Sequence, residues 1–165
     1  MKDGKGIETF KNGMRYEGQF KEDKYEGFGI LQSAGGLYKG NFQGGFKDGM
    51  GTMDFTNGSR YEGLWKQNRM HGRGRYVKAD GVEYAGEWVE GERHGQGKTF
   101  FPNDERHEGG YEHNLYSGPG WWRTVDGKFR PGVWRKGNLV EWTGKERFKT
   151  EQSLTSSLKP KPTKK

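Results

Sequence analysis

"RYEGQF" at 15–20, "LYKGNF" at 37–42, "RYEGLW" at 60–65 and "EYAGEW" at 83–88 write one pattern, aromatic-x-Gly-x-aromatic, at steps of 22, 23 and 23 residues. Weaker copies, "RHEGGY" at 106–111 and "FRPGVW" at 129–134, continue the series. A second element keeps the same period: Gly-x-Gly starting at Gly4, Gly27, Gly49, Gly72, Gly95 and Gly118. Self-similarity of this length constrains the fold more than any single residue. Each unit must be one supersecondary element that buries its apolar side only by stacking on its neighbours.

Both elements read as strands. "YEGLW" puts Tyr61, Gly63 and Trp65 on one face and Glu62 and Leu64 on the other. Turn signals separate them. Asn12–Gly13, Asn57–Gly58, Asp80–Gly81 and Asp126–Gly127 are hairpin dipeptides that tolerate the positive φ of a type I′ turn. The other turn carries Asp23, Gly45, Asn68, Gly91, Asn114 and Gly137 in one column, all residue types that accept the left-handed region. Each unit is therefore a hairpin, and the hairpins follow one another as a meander. The count is twelve strands, with a thirteenth in "LVEWTG" at 139–144.

Composition explains why the rings matter. Only 28% of the 165 residues are hydrophobic, 15% are aromatic and 30 are glycine, so rings supply about half of the apolar content. A two-layer aliphatic core cannot be built from that. A glycine between two aromatics leaves bare backbone for rings to cover. The columns Tyr16, Tyr38, Tyr61, Tyr84 and Phe20, Phe42, Trp65, Trp88, Tyr111, Trp134 then run along the sheet. Same-column residues lie two strands apart, about 9.5 Å, so their rings must lean over what stands between. Aromatic cross-strand pairs contribute roughly 0.2–1 kcal/mol each. Holding the sheet together is the first role of these rings.

Chemistry is thinly represented. The absence of cysteine removes disulfides, thiolate nucleophiles and Cys-ligated zinc. His71 and His94 share a column just before Gly-x-Gly, but Glu26, Asp48 and Ser117 occupy the same column, as a solvated turn edge would. His107 and His113 add no ligand-spaced cluster. The Gly-x-Gly elements precede no helical pattern and are not phosphate cradles. The reading is non-enzymatic, with no metal and no cofactor. No apolar run reaches the roughly 20 residues of a membrane span. The N-terminus carries no secretory signal. Together these place the chain inside the cell. The net charge is +7, of which residues 149–165, with five lysines against Glu151, supply +4.

The run "YEGLWKQNRMHGRGRYVKADG" at 61–81 resembles the MORN repeat (membrane occupation and recognition nexus), and "YAGEWVEGERHGQGKTFFPND" at 84–104 resembles it nearly as closely. The resemblance covers about 4–134 and implies an all-β, elongated single-sheet antiparallel meander, a MORN-repeat solenoid. Departures are His107 and Arg130 in place of the first aromatic, Asp104 for a turn glycine, and one residue fewer in 16–37. The units divide as a half repeat 4–15, then 16–37, 38–60, 61–83, 84–106, 107–129 and a degenerate half unit 130–148. Together these make a β domain over 1–148. Residues 149–165 read as a flexible basic tail.

Two functions compete. In the first, the chain is a structural scaffold that binds other proteins of a larger assembly. The partner lays a helix or strand on the aromatic face of Tyr16, Phe20, Tyr38, Phe42, Tyr61, Trp65, Tyr84, Trp88, Tyr111 and Trp134, or adds a strand at an open edge. The resemblance implies a cytoskeletal setting such as a cilium or flagellum axoneme. In the second, the chain is a peripheral adaptor on anionic phospholipids. No column of the repeat is basic throughout, so contact falls to Lys159, Lys161, Lys164 and Lys165, at about 1 kcal/mol each near an anionic surface. The mixed sign of the body argues against nucleic acid.

Overall fold

The structure is a computed structural model that describes residues 1–148. They form one open antiparallel sheet without helix: β1 (Gly4–Thr9), β2 (Arg15–Lys21), β3 (Lys24–Ser33), β4 (Gly36–Gln43), β5 (Phe46–Phe55), β6 (Arg60–Lys66), β7 (Arg69–Val77), β8 (Glu83–Val89), β9 (Glu92–Phe100), β10 (Arg106–Glu112), β11 (Leu115–Arg123), β12 (Lys128–Arg135), β13 (Asn138–Trp142) and β14 (Arg147–Phe148). Strands β1 to β13 pair in chain order, and β14 pairs with β12. The all-β meander expected from the repeat is what forms. It gains β14 beyond the thirteen strands expected, and β13 begins one residue earlier than "LVEWTG".

The register aligns one glycine of every strand from β1 to β12. Gly6 faces Gly18, Gly63 faces Gly74, Gly74 faces Gly86, and the row runs on to Gly120 and Gly132. Just past this row the pairing slips in each hairpin closed by a short turn, for example between Gly63 and Trp65 and between Gly86 and Glu87. Such bulges bend a strand. The bend answers the shortage of core: the twelve apolar core residues are at most 6% exposed although no second sheet covers them.

Tyr61 shows how. Its ring lies flat over the Gly63–Gly74 pair, and a Cβ on either glycine would come within 3.0 Å of the tyrosine. Its hydroxyl donates to the Leu64 carbonyl at 2.8 Å. Tyr16, Tyr38 and Tyr84 repeat the arrangement, donating to the carbonyls of Gln19, Asn41 and Glu87. The second ring of the motif stands on edge. Tyr61 meets Trp65 at 5.2 Å and 89°, and meets Trp88 of the next unit at 5.4 Å and 85°. Each lid thus ties its own hairpin to the following one, with the edge-to-face geometry that ring quadrupoles favour. The indole Nε1 atoms of Trp65 and Trp88 donate to the carbonyls of Gly51 and Gly74. Burial pushes the tyrosine hydroxyls up, Tyr16 to about 12 and Tyr61 further.

The turns divide differently from the sequence expectation. The type I′ turns are those of the Asp23 column, where both central residues have positive φ: 51° and 63° at Glu22–Asp23, 47° and 69° at Gln67–Asn68. The Asn-Gly and Asp-Gly loops are three-residue connections instead. At 10–14 only Gly13 has positive φ, Gly13 N–H donates to the Phe10 carbonyl, and Phe10 N–H donates to the Met14 carbonyl. That is a type I turn closed by a left-handed residue. Asn12 stays out of the left-handed region because its side chain accepts the Met14 N–H at 3.1 Å. Each short turn also donates one N–H to the preceding hairpin, as from Asp23 to Lys2, Asn68 to Lys47 and Gly137 to Tyr116.

Candidate partner-binding face

Strand alternation puts the lids and edge rings on one face. The ten aromatics of the sequence reading all lie there, and all are buried, from 0% exposed at Tyr16 to 6% at Phe20 and Trp65. They make the floor. What a second molecule can touch is the layer above them, which the sequence reading missed: Phe55, Met70, Tyr76, Tyr116 and their neighbours, partly buried against the core.

One column of that layer covers the lids. Tyr25 stacks on Tyr16 at 3.7 Å. The Nζ of Lys47 stands 5.0 Å from the Tyr38 ring and 5.1 Å from Trp65. Arg93 stands 5.6 Å from Tyr84 and 5.8 Å from Tyr111, and donates to the Asn114 carbonyl at 2.7 Å. Tyr116 lies 4.0 Å from His107. Burial lowers the Lys47 pKa, and the two ring faces offset that cost.

A trough of about 620 Å³ opens over β7 to β11 between Phe55, Tyr76, Phe101 and Tyr116, with Lys78 and Arg93 as its cations. A second hollow of about 360 Å³ follows beyond Tyr116, walled by Trp122, Trp134 and Trp142. Tyr116 lines both, so they run along the same face. Apolar walls with a few placed polar groups are what binding sites share. The opposite face has a broader depression of about 800 Å³, but Glu62, Glu87 and Glu108 balance Arg73, Arg75 and Lys98 there. Arg75 pairs with Glu83 at 2.5 Å and Lys98 with Glu108 at 3.1 Å, which leaves no single-sign surface.

His107 fills a lid position. Its ring lies over Gly109 and Gly120. Nδ1 meets the Tyr111 hydroxyl at 3.0 Å, which in turn meets the Thr99 hydroxyl at 2.7 Å. Nε2 is buried without a hydrogen-bond partner, and burial drives the imidazole pKa down to about 3. His94 and His113 approach to 5.7 Å, with His113 on Glu92. Among the described residues no three His, Cys, Asp or Glu gather as a metal site would need. Among them, too, no helix is long and apolar enough to cross a membrane. Lys159, Lys161, Lys164 and Lys165 lie outside the described residues.

No curated protein matched the chain. The MORN repeat model matches residues 1–15, 16–37, 38–60, 61–83 and 84–106. Such repeats are generally non-enzymatic modules that mediate protein or membrane interactions. On these five matched units, and on the glycine row with its tyrosine lids that they build, the chain belongs to the MORN-repeat family.

Proposed function

We propose that the chain is a non-enzymatic scaffold that seats an amphipathic helix of a partner protein in the trough over β7 to β11. The setting is intracellular, in a cytoskeletal assembly such as a cilium or flagellum axoneme. The observation that carries the reading is the half-buried layer above the lids. It offers rings and a methionine already held in place by packing, so little side-chain freedom is lost on binding. Arg93, which among the described residues has no carboxylate partner in the trough, favours a partner with acidic residues beside its apolar stripe.

The test is a Tyr76→Ala, Tyr116→Ala double variant, shown by circular dichroism to keep its β spectrum. Expressed in ciliated cells, the wild type stays with the detergent-insoluble axoneme and the variant is released. Equal retention of both overturns the trough. Release of both by detergent, with sedimentation on phosphatidylserine vesicles that about 0.5 M salt abolishes, favours the lipid reading.

A further inference from the structure

The outer side of β1 faces no other strand of the described residues, and it differs from the matching side of every later Gly-x-Gly strand. In every later Gly-x-Gly strand up to β9, the second glycine lies under the tyrosine of the strand before: Gly29 under Tyr16, Gly51 under Tyr38, Gly74 under Tyr61, Gly97 under Tyr84. Gly6 has no such ring. A Cβ there would meet only the edge of Phe20, at 3.3 Å. The first glycine repeats the contrast. Gly27, Gly49, Gly72 and Gly95 abut Gln19, Asn41, Leu64 and Glu87 of the preceding strand, whereas a Cβ at Gly4 would meet nothing within 4 Å.

The covering column agrees. Lys47 and Arg93 each sit between two rings, one from the strand before and one from the strand after. Lys2 occupies the same column, since its backbone bonds Asp23 as that of Lys47 bonds Asn68. Its Nζ pairs with Glu8 and stands 5.4 Å from Phe20, the ring after, and no ring of a described strand stands on its other side.

The backbone is ready as well. Hydrogen bonding alternates along an antiparallel pair. Counting from the Phe10–Met14 bond, Glu8, Gly6 and Gly4 face β2, and Lys5, Ile7 and Thr9 turn their N–H and C=O groups outward. Among the described residues no strand pairs with that side. Ile7 beside it is 61% exposed.

We infer that the free edge of β1 takes an antiparallel strand of the pattern Tyr-x-Gly-x-Phe/Trp from a second polypeptide. The incoming glycine faces Gly6, its tyrosine lies over Gly6, and its hydroxyl keeps the bond to its own backbone. The tyrosine completes the ring pair around Lys2. The main-chain bonds supply affinity and the glycine seat supplies selectivity. This goes beyond the trough, which lies many strands away over β7 to β11.

The test uses the full chain and a synthetic peptide, RYEGLWK, at about 1 mM, where even a complex with a Kd of about 1 mM is half formed. Amide hydrogen exchange at Lys5, Ile7 and Thr9 slows by about twofold or more with this peptide. It is unchanged with peptides carrying Tyr61→Ala or Gly63→Val. The Gly6→Val chain folds, because its side chain meets only the edge of Phe20, yet loses the slowing. The Tyr76→Ala, Tyr116→Ala chain keeps it, which separates this edge from the trough. No slowing, equal slowing by the altered peptides, or equal slowing in Gly6→Val overturns the inference. So does slowing that follows protein concentration without peptide, which would make a second copy the occupant.

Discussion

The units lidded by tyrosine, from 16 to 106, and the unit lidded by His107 solve one problem with different parts. A tyrosine covers its glycine pair tightly and returns its hydroxyl to its own strand, as Tyr61 does at Leu64. Histidine is shorter. It leaves more room, with a Gly109 Cβ at 3.3 Å and a Gly120 Cβ at 3.1 Å, and cannot reach the carbonyl. Tyr111 and Thr99 take up Nδ1 through a short relay, and Nε2 stays dry. One unit further on, Arg130 stands at the lid position with its guanidinium 4.5 Å from Trp142. The Trp134 ring then slides over Gly120 and Gly132 instead. The comparison teaches that the fold needs a flat ring on each glycine pair and tolerates several sources for it.

The largest effect should separate the two kinds of lid by a single methyl group. Gly74→Ala drives a Cβ into the Tyr61 ring, whereas Gly120→Ala meets the Glu108 carbonyl at 2.9 Å and the looser His107 at 3.1 Å. The expected losses are about 4 and about 2 kcal/mol, from overpacking, read from urea midpoints. Equal losses would show that lid fit is not what distinguishes the units.

Acid should act first on the unit lidded by His107. His107 takes up its proton near 6.5 when unfolded and near 3 when folded. Between these values the unfolded chain binds more protons, so the stability present above pH 6.5 drains away as pH falls toward 3. At about pH 5 the loss is about 2 kcal/mol. Amide exchange should quicken in β10 and β11 before β6 and β7, and His107→Phe should flatten the pH profile. A uniform response of all hairpins would break the contrast.

The smallest effect concerns the hydroxyls. Tyr61→Phe removes one bond to Leu64 and should cost about 1 kcal/mol. Tyr111→Phe strands both Thr99 and His107 and should cost about half as much again. The ratio of the two thermal shifts measures how far the relay replaces the tyrosine hydroxyl.

Much of this was legible because period two and period 23 act together. Tyr61, Gly63 and Trp65 announce their shared face, and the Asp23 column announces its left-handed turns. The loops at Gly13 and Gly58 were harder. Asn-Gly serves both a type I′ turn and a three-residue loop, and the choice rests on hydrogen bonds that no dipeptide records. The trough was hidden for another reason. Lys47, Met70, Arg93 and Tyr116 share a column but no chemistry, so identity gave no signal. Only the alternation of the Gly-x-Gly strands, carried through from Gly74 to Tyr76, could have found the walls. His107 looked like a loss from the pattern and proved to be a lid, because what the site selects is a ring of suitable thickness.

The bonds from each short turn to the hairpin before it have a mechanical consequence. They run down one margin of the sheet, from Asp23 onto Lys2 to Gly137 onto Tyr116. The margin of longer loops has fewer such ties, among them Thr56 to Gly35 and Arg123 to Asp104. A load pulling the hairpins apart therefore meets a laced seam on one side and a looser hem on the other. The molecule would splay like a fan about its short turns, opening and closing the aromatic trough while every strand stays paired.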